Sequence, residues 1–201
     1  MACIEALEPD VTDFRFNAPV IATPRLVLRR PDKDDVADIA FLANNPKVAS
    51  MVARMPYPYH VADARSFVER NAAGGPNGGV YAVTMRATGR FIGCAGLDTS
   101  KGNGLELGYW LGEPFWGQGL ATEAAHALVD LAFNDSTVPQ ITAACRLTNP
   151  GSRRVIQKSG FQHTGIGMMN SLAAGSVSIE RFVLDRKTWG SLRSWARLAL
   201  S

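Results

Sequence analysis

The sequence predicts a mixed α/β fold, with a mostly antiparallel central sheet of about seven strands flanked by helices. Three observations carry this. Residues 80–86 and 90–98 alternate apolar and polar around the turn Ala87-Thr88-Gly89, as a β-hairpin does. A third alternating segment, 105–111, follows across a short turn at 100–104. That segment, the helical stretch to about Phe133 and the apolar run 140–146 form a β–α–β crossover, which places a parallel pair inside the sheet.

The elements follow in order. Residues 1–20 lack periodicity and read as an arm, leaving 21–201 as a single domain. RLVLRR at 25–30 is a strand. Asp32 caps a helix with Asp35 in its first turn and Val36, Ile39, Ala40 and Ala43 at helical spacing. Pro46 restarts the chain, and 51–60, with Pro56 and Pro58, is irregular. Residues 63–71 form a short helix, and 74–79 (GGPNGG) a flexible connection. On strand 105–111, Leu105, Leu107, Tyr109 and Leu111 share one face, and Glu106, Gly108 and Trp110 the other. The next helix buries Ala121, Ala124, Ala125, Leu128 and Ala132, with Glu123, His126 and Asp130 turned away. Asn149 and Pro150 start a helix that Gly160 closes. Strands at 161–168 and 177–184 and a helix at 186–198 follow, the last packing through Trp189, Leu192 and Leu198.

Composition narrows the function. At 201 residues and 46% hydrophobic, the chain can bury one core. A net charge of +3, evenly spread, gives no footprint for nucleic acid. No apolar run approaches the ~20 residues that span a bilayer. Glu5, Glu8, Asp10 and Asp13 interrupt the start of the chain as no leader peptide would be interrupted, so a cytoplasmic location is expected. Cys3, Cys94 and Cys145 are widely spaced and read as reduced, buried thiols. His60, His126 and His163 share no ligand spacing, so no metal is expected. Asp130 and Ser136 belong to no recognisable triad, which leaves hydrolase chemistry without support.

The most informative stretch is 110–125, WLGEPFWGQGLATEAA. A strand ends at Leu111, a turn carries Gly112 and Pro114, and Gly117 and Gly119 open a helix. Glycine lets the backbone turn tightly and approach a ligand. The first N–H groups of a helix lack internal partners and lie at its positive end, so this turn is an anion site. No Lys follows the second Gly, which argues against a P-loop. Thr122 stands where a dinucleotide fingerprint needs its third Gly.

The segment resembles the Q/R-x-x-G-x-G/A pyrophosphate loop of the GNAT acetyltransferases, with Trp116, Gly119 and Ala121 at the three defining places. The W-G-x-G-x-A-T-E-A form looks like the RimJ/RimL branch, named for ribosomal-protein N-terminal acetyltransferases. A second segment, 149–161 (NPGSRRVIQKSGF), resembles that family's N-x-x-S/A helix. The likeness spans roughly residues 22–190. It implies acetyl-CoA as co-substrate, held at its diphosphate by main-chain N–H groups of Gln118, Gly119, Leu120, Ala121 and Thr122. The backbone of Tyr109, Trp110 and Leu111 would pair with the pantetheine arm like an added strand. Asn149 and Ser152 would face that arm near the thioester, and Arg154 is the best candidate on its helix for a phosphate. Glu106 would act as general base toward the incoming amine, or stand in a structural ion pair. The Tyr that many members carry on this helix is Ile156 here, which leaves Ser152 or water to serve the departing thiolate. A CoA thiolate, with a pKa of ~8.5, leaves readily enough for a weak donor to suffice.

The acceptor would be a primary amine. An α-amine, with a pKa of ~7.7–8.0 against ~10.4 for Lys, is the more often neutral near pH 7, which favours protein N-termini. Amino acids, polyamines and antibiotics are the small-molecule alternatives, and a CoA-binding regulatory module without turnover is a third. Met55, Tyr57 and Tyr59 in the 51–60 loop, with Met168 at the start of the 168–176 turn, are candidates to line the acceptor groove or to pack in the core. A monomer or a homodimer is expected.

Overall fold

The computed structural model describes residues 20–72, 78–99 and 104–198. The N-terminal arm to residue 19, Cys3, positions 74–77 of the glycine-rich connection, residues 100–103 of the expected turn and the Leu198 side chain lie outside the described residues.

Eight strands form one sheet: β1 (Ile21–Ala22), β2 (Leu26–Arg29), β3 (Gly78–Met85), β4 (Phe91–Asp98), β5 (Leu105–Leu111), β6 (Gln140–Arg146), β7 (Gln162–Ser171) and β8 (Gly175–Asp185). Their order is β1-β2-β3-β4-β5-β6-β8-β7, antiparallel throughout except at β5–β6. The strand beyond the expected seven is β1. At two residues it is too short to carry a period, and it exists because Ile21 and Ala22 pair with Leu28 and Val27. The last two strands run longer than their apolar patterns, because their hairpin stays paired as far as Ser171↔Gly175.

The helices are α1 (Val36–Ala43), α2 (Pro46–Ala49), α3 (Val61–Ala72), α4 (Leu120–Asp135), α5 (Pro150–Lys158) and α6 (Arg186–Leu198). β4 is buried along both faces, with α1 packed on one and α4 on the other. Cys94 and Cys145 are buried, as expected of small apolar side chains.

Two polar devices fix the frame. Asp32 caps the short turn Lys33–Asp35 in a capping box, and Asp35, only 3% exposed, receives both ends of the Arg29 guanidinium at 2.7 Å. This ties β2 to the turn that starts α1. At the other end of the molecule, Arg186 donates to the carbonyls of Phe133, Ser136 and Val138. A cation there offsets the negative end of α4. Trp189 packs on Phe133 with ring centroids 5.1 Å apart and donates to Asp130 at 2.8 Å, which seats α6 against α4.

Without the Asp35 charge, Arg29 stays partly exposed and keeps Asp32 at 3.3 Å, so what is lost is the charge on a bidentate hydrogen-bonded pair, about 2 kcal/mol. Asp35→Asn is therefore expected to lower the unfolding free energy by roughly that amount, read as a shifted urea midpoint at unchanged slope.

Candidate active site

The parallel β5–β6 ladder is short. It runs from Leu105↔Ile141 to Leu107↔Ala143, while β5 continues to Leu111 and β6 to Arg146. The neighbours on the far sides hold on: β5 stays paired with β4 to Gly93↔Leu111, and β6 with β8 to Arg146↔Ile179. A gap therefore opens in the middle of the sheet.

The direction of the main-chain groups at that gap follows from one bond. Gly112 N–H donates to Ile92 C=O at 2.9 Å. Hydrogen-bonded pairs alternate along an antiparallel ladder, so Trp110, Gly108 and Glu106 also turn their main chain toward β4. Leu107, Tyr109 and Leu111 turn theirs toward the β6 side. The expectation for Trp110 is corrected accordingly, since its main chain is paired with β4. The Leu111 carbonyl is taken by the Trp116 indole at 2.7 Å. The groups aimed into the gap are then the N–H and C=O of Tyr109 and the N–H of Leu111. β4 comes very close here, and a Cβ on Gly93 would lie 2.2 Å from the Trp110 carbonyl.

Beside the strand end lies the glycine turn. Gly117 and Gly119 both have left-handed backbones, at φ 76° and 75°. Side chains strain there, so the turn needs glycine at both places. Gly119 is the N-cap of α4, and the first bond inside the helix is Glu123 N–H to Gly119 C=O. The N–H groups of Leu120, Ala121 and Thr122 precede it and have no helical acceptor. The Gln118 side chain is used locally, donating to the Pro114 carbonyl at 3.0 Å.

A clamp from the start of β2 braces this turn. Glu123 accepts from Thr23 Oγ1 at 2.6 Å, from Arg25 N–H at 2.8 Å and from Arg25 Nε at 2.6 Å. Arg25 Nη1 donates to the Gln118 carbonyl at 2.8 Å. Burial pushes the Glu123 carboxyl up, but the hydrogen bonds from Thr23 and Arg25 outweigh it and hold the group below the usual carboxylate range. The guanidinium thus stands beside the unpaired N–H groups. An open groove of about 760 Å³ continues from Gly119 past Thr122, His126 and Lys158.

The helix α5 lines the other side of the gap. Asn149 caps it, accepting from Ser152 N–H at 3.0 Å. Ser152 Oγ lies 2.8 Å from the Tyr109 hydroxyl, which also reaches the Ser152 carbonyl at 3.2 Å. Burial pushes the Tyr109 phenol well above its ordinary pKa, and the Ser152 bond draws it partly back. Ile156, where a tyrosine would stand in the resembling family, is wholly buried. Arg153 is bound to Glu180 at 2.6 Å, whereas Arg154 is exposed.

Glu106 sits half-buried on the opposite face of β5, across from Asp98 on β4 and Thr142 on β6. Asp98 forms an ion pair with Arg54 of the 51–60 loop. That loop meets the β7–β8 turn: Leu172 N–H donates to the Ala53 carbonyl at 2.9 Å, and Ser171 Oγ to the Val52 carbonyl at 3.0 Å. The two segments proposed to line an acceptor groove are therefore in contact. Within them, Met55 and Tyr59 are corrected: both are buried in the core, at 7% exposure each, as the larger apolar side chains of a loop packed on the sheet's hydrophobic cluster are. Tyr57 and Met168 remain exposed, at 49% and 58%.

Sequence reasoning missed the Thr23–Arg25–Glu123 clamp, the Tyr109 hydroxyl and Arg54–Asp98. Each joins residues far apart in the chain. The one local signal was a charged Glu123 at the start of an apolar helix, opposite a strand that begins with Arg25. Among the described residues no group of three or more metal-binding side chains converges, and no helix is long and apolar enough to cross a membrane.

A family model described as an acetyltransferase (GNAT) domain matches residues 25–162. An uncharacterized N-acetyltransferase, p20 of Bacillus licheniformis, is 27% identical over 151 residues, covering 72% of this chain and 83% of that protein. The fold superposes on a GNAT-family acetyltransferase from Bacillus anthracis with a TM-score of 0.74 at 20% identity, covering 84% and 99% of the two chains. It superposes with a TM-score of 0.69 on RimL, a ribosomal L7/L12 alpha-N-protein acetyltransferase solved with coenzyme A, at 18% identity and 83% and 97% coverage. The spermidine N-acetyltransferase from Vibrio cholerae, solved with CoA and spermine, gives a TM-score of 0.69 at 16% identity, with 83% and 99% covered.

Charge-assisted bonds to an anion are stronger than neutral ones. Arg25→Gln is expected to raise the dissociation constant for coenzyme A about tenfold by calorimetry. Affinity for pantetheine, which carries no diphosphate, should stay the same.

Proposed function

The chain belongs to the GNAT acetyltransferase domain family, and on that premise we propose that its acceptor is a primary amine, foremost the α-amino group of a protein or peptide. It is an acetyl-CoA-dependent N-acetyltransferase. The observation that carries the site assignment is the juxtaposition of the β5 edge at Tyr109 and Leu111 with the unpaired N–H groups that open α4.

The residues present suit this co-substrate. Leu120, Ala121 and Thr122 N–H, with Arg25 beside them, match a diphosphate. The Tyr109 main chain offers a donor and an acceptor to an amide-bearing arm. The groove past Thr122, with His126 and Lys158 on its walls, receives the nucleotide end, and exposed Arg154 stands ready for a phosphate.

Transfer then proceeds by direct attack. Glu106 takes a proton from the amine, and the nitrogen adds to the thioester carbonyl. Leu111 N–H donates to the oxygen as it gains charge. Ser152 faces the departing sulfur. Glu106 and Ser152 lie on opposite faces of β5, so the amine arrives from the side of the 51–60 loop and the thioester from the side of α5. The gap is where they meet, and holding both there supplies much of the rate.

Two observations support an α-amine. It is neutral more often than a Lys amine near pH 7, and Tyr57 and Met168 offer apolar surface to the side chains that follow an N-terminus. The Asp98–Glu106 pair supports a second reading, a small polyamine, although Arg54 already counters one of those charges.

Incubation with acetyl-CoA, a peptide library and a panel of free amines, read by mass spectrometry, tests the choice. Acetylated N-termini are expected, and acetylation confined to polyamines would reverse the order of the two readings. Removing a general base costs on the order of 100-fold. Glu106→Gln is expected to lower kcat by about that factor while coenzyme A affinity by calorimetry is unchanged.

A further inference from the structure

We infer that Tyr109 is a positioning residue that aims the Ser152 hydroxyl hydrogen at the departing sulfur. The inference rests on the acyl-transfer reading above and deepens it.

Begin with what α5 lacks. Its side chain at 156 is an isoleucine with no exposed surface, so that position contributes no polar group to the gap. The phenol present comes from β5 instead. Tyr109 lies just past the last residue paired with β6, and its hydroxyl crosses to the first turn of α5. It reaches two oxygens of one residue, Ser152 Oγ at 2.8 Å and the Ser152 carbonyl at 3.2 Å. The Ser152 N–H is held at 3.0 Å by Asn149. The nearer of the two is Oγ, so Ser152 is held through its hydroxyl oxygen and, by Asn149, through its N–H.

Relative acidity sets the direction of the hydroxyl bond. A phenol, with a pKa of ~10, is a far better donor than an aliphatic hydroxyl. The one Tyr109 hydrogen therefore goes to Ser152 Oγ, at 2.8 Å the nearer oxygen, rather than to the carbonyl at 3.2 Å, and the single serine hydrogen is left to another acceptor. Burial keeps the phenol protonated and donating across the working pH range.

Neither hydroxyl gives its proton away. A CoA thiol has a pKa of ~8.5, well below that of a phenol or a serine, so full transfer to the sulfur would run uphill. As the C–N bond forms and the C–S bond breaks, the amine's proton goes to Glu106. The electron pair of the C–S bond leaves with sulfur. The thiolate departs as an anion, stabilised by the Ser152 hydrogen bond, and takes a proton from water. A hydrogen bond to an ion is worth more than one between neutral groups, so the stabilisation grows as charge develops.

The test uses Tyr109→Phe, which keeps the ring and removes the hydroxyl. For turnover, kcat is expected to fall about tenfold with KM for acetyl-CoA within twofold. The wild-type to variant ratio should be constant between pH 6 and 9, since no proton leaves the phenol. Ser152→Ala should fall at least as far, and adding Tyr109→Phe to it should change nothing more. For binding, calorimetry compares coenzyme A with its desulfo analogue from pH 7 to 9.5. Wild type should increasingly prefer coenzyme A as the thiol ionises, and both variants should lose most of that gain. Independent, multiplicative losses in the double variant, or an unchanged pH response of the binding preference in Tyr109→Phe, would overturn the inference while leaving the transferase reading intact. No binding of coenzyme A by wild type would remove both.

Discussion

The site depends on an early end to one strand pairing. β5 and β6 are the two parallel neighbours in the sheet, and each is held more extensively on its other side. Strands in a sheet twist relative to one another, and parallel pairing is slightly the weaker kind per residue. With β5 tied to β4 out to Gly112 and β6 tied to β8 out to Arg146, the weaker ladder gives way after Leu107↔Ala143. Main-chain groups left without partners inside a protein cost about 1–3 kcal/mol each. At this gap they meet water or a ligand, and that is how a break in the sheet becomes a binding edge.

The glycine turn uses the same logic at a helix end. The N–H groups of Leu120, Ala121 and Thr122 have no helical acceptor, and the two left-handed glycines remove the side chains that would cover them. What makes the turn specific is the clamp behind it. Arg25 binds Glu123 and the Gln118 carbonyl together, so the carboxylate fixes the guanidinium without burying it. Arg25 remains 48% exposed beside the N–H groups. The cation beside these N–H groups therefore comes from just before β2, nearly a hundred residues before the helix.

Much of this was legible in the sequence. The alternation at 105–111 and the glycines at 117 and 119 placed a strand end against a helix start, and Asn149-Pro150 placed the cap of α5. These are local signals, carried by periodicity and by residues with few conformational choices. What stayed hidden depended on register. Trp110 and Tyr109 are neighbours, and only the Gly112–Ile92 bond reveals which of them turns its main chain to the gap. Met55, Tyr57 and Tyr59 read alike as an aromatic loop. Burial of the first and last in the core, with Tyr57 outside, is a tertiary outcome with no local cause.

The same register explains why the site has two chemically distinct sides. Side chains alternate along β5, so Glu106 and Tyr109, three positions apart, fall on opposite faces. In an unbroken sheet those faces would never communicate. The β6 ladder ends just past Glu106 and Leu107, so the carboxylate on one face and the hydroxyl pair on the other both border the gap. The face toward α5 is built from main-chain groups, a capped helix and a tightly held serine. The face toward the 51–60 loop is built from that loop, joined to the β7–β8 turn by two hydrogen bonds and to β4 by the Arg54–Asp98 pair. A contact between two loops can vary without disturbing the sheet, and one scaffold is shared by the ribosomal-protein and spermidine acetyltransferases that this fold resembles.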